Sequence, residues 1–124
     1  MDAKSLVKGL SYVGQAEGKR QTYYVFEGRE HFFVLSFSRN KNKPNSGNFN
    51  FVDVQAVRYV QKAFGGSVGI TSKALHRRSR RPQYISKPLD ALNILYVLVA
   101  LKQAKIDKRH ESRELYFNIK KSRA

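Results

Sequence analysis

The chain has no cysteine, no tryptophan and only three prolines, and just nine carboxylates stand among its 124 residues. Without thiols there are no disulfides, cysteine-ligated zinc sites, iron–sulfur clusters or thiol nucleophiles. The same absence fits a cytoplasmic or nuclear location. The carboxylates are too few and too scattered to suggest a pair for metal-dependent hydrolysis. His31, His76 and His110 lack the spacing of metal ligands. Glu27, Glu30 and His31 could in principle meet a metal, but a charged turn explains them better. Gly65-Gly66 and Gly69 are not followed by the Lys-Ser or Lys-Thr of a phosphate loop. No apolar run approaches the roughly 18 residues of a membrane span, and the N-terminal MDAKSLVKGLSYVG lacks a signal-peptide pattern. The expectation is a protein without catalysis, cofactor, metal or membrane.

What is abundant is positive charge. Twenty-four Lys and Arg against nine Asp and Glu give +15 and a pI near 10.3. A domain of 14.3 kDa repels itself at that charge unless a polyanion relieves it, and nucleic acid is the commonest such partner. Hydrophobic residues at 41% and aromatics at 12% provide for a packed core. The length suits one α+β domain over 1–124: a β-rich part over 1–50, a helical part with a hairpin over 51–120, and a basic tail at 121–124.

Residues 1–21 are weakly patterned, open to a strand or a short helix. Thr22–Glu27 and His31–Ser38 are aromatic and β-branched, the composition of strands. Gly28-Arg29 between them predicts a tight hairpin, with Gly supplying positive φ. Phe33, Leu35 and Phe37 share one face and Phe32 and Val34 the other, so cover on both sides is expected. Ser38–Asn50 reads as a polar loop carrying Arg39, Lys41 and Lys43.

Asp53 is placed to cap a helix over Val54–Phe64, stopped by Gly65. Thr71 is placed to cap the next helix, to about Arg78, with Ile70 and Leu75 as a hydrophobic staple. Arg77, Arg78, Arg80 and Arg81 crowd the following turn, which Pro82 ends. Ser86 is the expected cap of a third helix whose stripe is Leu89, Leu92, Leu95 and Val99, widened by Ile94, Leu98 and Leu101. Asp90, Asn93 and Val97 fall on its other side. Ala104–Asp107 and Arg113–Ile119 alternate as paired strands around a basic tip from Lys108 to Ser112.

The segment ITSKALHRRSR, followed by a helix containing Ile94-Leu95 and Leu98, then Ala104-Lys105-Ile106 and RELYFNI, resembles the winged helix-turn-helix family over about residues 53–120. Where that family commonly ends its third helix with Gly, this chain has Lys102-Gln103. The resemblance implies duplex DNA as partner, with the third helix in the major groove and its N-terminal residues nearest the bases. Lys87, Asp90 and Asn93 are then candidate readers. The four arginines are candidate phosphate grips, since guanidinium forks match phosphate oxygens. Lys105, Lys108, Arg109, His110 and Arg113 are the wing contacts. Two other readings remain at this point. Tyr23, Tyr24, Phe32 and Phe33 could stack unpaired RNA bases, or the apolar hairpin could join a homodimer or a larger assembly.

Overall fold

Thr22–Glu27 and His31–Phe37 form strands β2 and β3, as their aromatic and β-branched composition predicts. The computed structural model describes residues 10–18, 21–37, 47–109 and 114–121. Two further strands flank the hairpin, β1 (Ser11–Glu17) and β4 (Gly47–Asp53), and complete an antiparallel sheet in the order β1-β2-β3-β4. The segment expected to be a loop through Asn50 therefore yields a strand from Gly47 onward. Its repeat Asn48, Phe49, Asn50, Phe51 alternates polar and apolar with the period of a strand, although Asn and Gly disguise it.

The turn between β2 and β3 holds three residues, and Gly28 is absent from the positive-φ glycines, Gly66 and Gly69. Space, not handedness, explains Gly28: a Cβ there would meet Phe33 at 3.0 Å and the His31 carbonyl oxygen at 3.2 Å.

Three described helices follow: α1 (Val54–Phe64), α2 (Ser72–Arg78) and α3 (Pro88–Ala100). Asp53 caps α1 by accepting from the Gln55 N–H at 2.7 Å, and the Thr71 hydroxyl caps α2 by accepting from the Ala74 N–H at 3.1 Å. The cap of α3 lies one residue beyond Ser86, at Lys87. The Asp90 carboxylate reaches back to accept from the Ser86 N–H, the Ser86 hydroxyl and the Lys87 N–H, which moves the boundary.

The C-terminal hairpin pairs β5 (Ala104–Asp107) with β6 (Tyr116–Ile119). Ile70, just before α2, exchanges backbone hydrogen bonds with Phe117 at 2.9 and 2.8 Å, adding a one-residue third strand beside β6. Phe117 and Ile119 point into the core, as their alternation predicts.

The sheet, the helices and the hairpin share one core around α3. Ile94, Leu95, Val97 and Leu98 are buried with Val25 and Val34 of the sheet, Leu75 of α2 and Phe117. Close approach of β1 to the end of α3 requires Gly14, because a Cβ there would lie 2.7 Å from the Ala100 carbonyl oxygen. The expected two-faced α3 is thus corrected: Asn93 and Val97 on the side expected to be open are buried, while Leu89 of the anticipated stripe is 50% exposed. Amphipathic period alone does not reveal a second layer arriving from another part of the chain.

Candidate nucleic-acid interface

The arginine turn is built from the end of α2. The Ser79 N–H closes the helix on the Leu75 carbonyl at 2.9 Å, and the Arg81 N–H donates to the Ser79 hydroxyl at 3.2 Å. The Arg81 carbonyl then accepts from Tyr84 and Ile85 at 2.9 and 3.0 Å, and Ile85 is buried. From α1, the Tyr59 hydroxyl accepts from the Arg80 N–H at 3.3 Å, with its ring beside Tyr84. The backbone of the turn is held by this set, while Arg77, Arg78, Arg80 and Arg81 all project as exposed side chains. None of the four makes an ion pair among the described residues. Four unneutralised guanidinium groups on an anchored turn form a concentrated positive surface.

The expected readers on α3 separate. Lys87 is exposed at the helix start. Asp90 is engaged in the cap, so its carboxylate is committed to the backbone. Asn93 is only 6% exposed, and its expected role on an open helix face is corrected, since a side chain so buried cannot reach a base. Farther along α3, Tyr96 stacks with Tyr23 of β2 at 4.1 Å.

The basic tip is divided as well. Lys105 and Lys108 are exposed. Arg109 donates its Nε to the Asp107 carboxylate at 2.8 Å and its Nη2 at 2.6 Å, and its backbone N–H also donates, at 3.1 Å. These bonds, with a further one from Asn118, hold the Asp107 carboxyl far below the usual carboxylate range and raise the Arg109 guanidinium. Arg109 thus shapes the tip while most of its side chain stays in solvent. Arg113 and His110, like Arg39, Lys41 and Lys43 of the polar segment, lie outside the described residues.

The aromatic candidates are corrected in part. Phe32 is buried and Tyr23 faces α3, so neither is offered to a base. Cross-strand register places Tyr24 and Phe33 on the opposite, outer face with Tyr12, Phe26, Phe49 and Phe51.

Sequence reasoning missed three residues. Tyr59 carries no signal beyond its place on an amphipathic helix. Lys102 stands where the resembled family has Gly, which could have singled it out. Lys120, just ahead of the basic tail, is exposed beside β6. No family model matches the chain, and neither a curated protein nor a solved structure matches it significantly.

Proposed function

We propose that the protein binds nucleic acid without catalysis, holding duplex DNA chiefly by phosphate contacts, as an accessory factor in regulation, replication or mobile-element maintenance. The observation that carries this reading is the anchored turn with four exposed, unpaired arginines on a chain of net charge +15. We further assign residues 53–120 to a winged helix. The order α1, Ile70 bridge, α2, α3, β5 and β6 supports it, as does the bridging of Ile70 to Phe117 in β6. In this reading α3 organises the fold and does not read bases, because the sheet occupies its flank. Phosphate contacts position a protein without reading sequence, so weak sequence preference is expected.

The test is duplex affinity measured across salt. Replacing Arg77, Arg78, Arg80 and Arg81 together with Gln should weaken binding to every duplex. It should also make the slope of log K against log salt shallower by up to about 3.6, at roughly 0.9 per phosphate. A variant that binds like the parent at equal salt removes the arginine turn from the interface.

A homodimer through the outer sheet face belongs to the same proposal, because Phe51 at 62% and Tyr12 at 56% exposure are unusual on a monomer surface. RNA stacking fits that face less well. Phe33, Phe49 and Phe51 stand edge-on or tilted against one another, so they form no shared flat platform for bases. Stronger binding to single-stranded RNA than to duplex DNA in direct competition would reverse that preference.

A further inference from the structure

The end of α3 joins a strained residue to a charged cleft. The Lys102 N–H donates to the Val99 carbonyl at 3.0 Å and the Gln103 N–H to the Leu98 carbonyl at 2.8 Å, the bond pair of a helix stop that turns left-handed. The residue taking that turn is Lys102, with φ of 64°, and it is the single non-glycine with positive φ among the described residues. Glycine would take this conformation free of strain; a side chain with a Cβ does not. In return the position gains an ammonium group.

That group lines a cleft of about 430 Å³ between β1 and the C-terminal hairpin, where Lys105, Lys108 and Lys120 join it. The volume is that of a small-ligand site. Val99 at the end of α3 and Ala104 and Ile106 of β5 add apolar lining, and β1 contributes Gln15 and Glu17. Glu17 is the acid of the cleft, and its carboxylate already accepts from the Gln15 amide and the Thr22 hydroxyl, each at 2.9 Å. None of the four lysines forms an ion pair among the described residues. No aromatic residue lines the cleft among the described residues, so these offer a base no stacking surface. Four ammonium groups around one cleft without a stacking wall suit a run of phosphates.

We propose that this cleft binds the sugar–phosphate backbone of nucleic acid, as a second contact beside the arginine turn. This rests on the proposed function. Along the chain the arginine turn comes before α3 and Lys102 directly after it, and the 13 residues of that helix span about 20 Å at roughly 1.5 Å per residue. That distance is about six base-pair steps at roughly 3.4 Å each, so a short duplex is long enough to reach from one end to the other.

The full chain would be titrated into a labelled 20-base-pair duplex, with thermal melting recorded for each variant. Lys102→Gly should move the two readouts in opposite directions. Melting rises by about 4 °C as strain is relieved, while duplex affinity falls about fivefold with the lost cation. Adding Lys105→Gln and Lys120→Gln should deepen the loss to about fiftyfold and make the salt slope shallower by about 2.7. Unchanged affinity in this triple variant, with binding still lost in the arginine variant, overturns the cleft and leaves the proposed function standing. A parallel titration uses sodium tripolyphosphate. If it binds in a lysine-dependent way while the parent binds no nucleic acid, both the proposed function and the nucleic-acid assignment of the cleft fall. Displacement of tripolyphosphate by duplex supports the proposal.

Discussion

Tyr23 of β2 and Tyr96 of α3 stack nearly parallel, with ring centroids 4.1 Å apart and planes inclined by 18°. This contact helps seat the four-stranded sheet on the central helix. Burial raises the Tyr96 phenol above its ordinary value, and Tyr23 adds to the rise through its charge and a hydrogen bond. The folded state therefore favours the protonated phenol. That contribution is complete below the unfolded value of 10.0 and is lost as pH rises through the higher folded value. Tyr96→Phe keeps the ring but loses the hydrogen bond, at a cost of about 1 kcal/mol near neutral pH. Between pH 10 and 12 the parent should lose stability faster than the variant, so the gap narrows. Urea unfolding at pH 8, 10 and 11.5 would show this, and parallel losses in the two proteins would refute it.

Burial also decides what Asn93 does. At 6% exposure it is part of the packed interior, and truncation leaves a small void with no ligand contact removed. Asn93→Ala should cost about 1–2 kcal/mol of stability, in the usual range for a buried site, while duplex affinity stays within about twofold at the same folded fraction, a twofold change being only about 0.4 kcal/mol. A large affinity loss with unchanged melting would restore the base-reading role to α3.

The elements legible in the sequence are those whose signals are local. Alternation gives β2, β3 and the inward Phe117 and Ile119, while Asp53 and Thr71 mark the starts of α1 and α2. The strand β1 is obscured by its register shift between Tyr12 and Gly14, which breaks the period of two. The burial of Asn93 arises where distant segments pack around α3, as the contact of Tyr96 with Tyr23 shows, and no local window contains such contacts. Charge density, together with the winged-helix resemblance, marks the arginine turn and Lys105 and Lys108. The cleft was hidden because Lys102 and Lys120 are brought together with β1 only by the fold.

Asp107 should reveal itself in acid. Its carboxylate is held by Arg109 and Asn118, which lowers its folded value far below the unfolded 3.8. A depressed carboxylate contributes stability above the unfolded value and loses it as pH falls through the folded one. Asp107→Asn should therefore melt lower than the parent at pH 7. The difference should begin to shrink below pH 3.8 and be much smaller at pH 2. Melts at pH 7, 4 and 2 would test it. A difference that stays constant across that range would mean the Arg109 contact contributes nothing to folding.

The outer face of the sheet carries a continuous aromatic row. Tyr12, Phe26, Phe33 and Phe51 are cross-strand neighbours, and Phe33 and Phe51 meet at 4.8 Å. Phe51 lies on β4, an edge strand, and is 62% exposed; Phe37 nearby is 44% exposed. Apolar surface of this extent gains free energy when covered, at about 25 cal/mol per Å² removed from water. A second copy offers the matching face, and pairing would present two arginine turns to one duplex. The chain should then show concentration-dependent association by sedimentation. Phe51→Lys should abolish it, since each copy would bring an unpaired charge into an apolar contact. Because Phe51 is largely solvent-exposed, the variant should keep its stability to within about 1 kcal/mol, which separates lost association from lost folding. A parent that stays strictly monomeric at high concentration would leave the aromatic row without this role, and duplex binding would then require one arginine turn per complex.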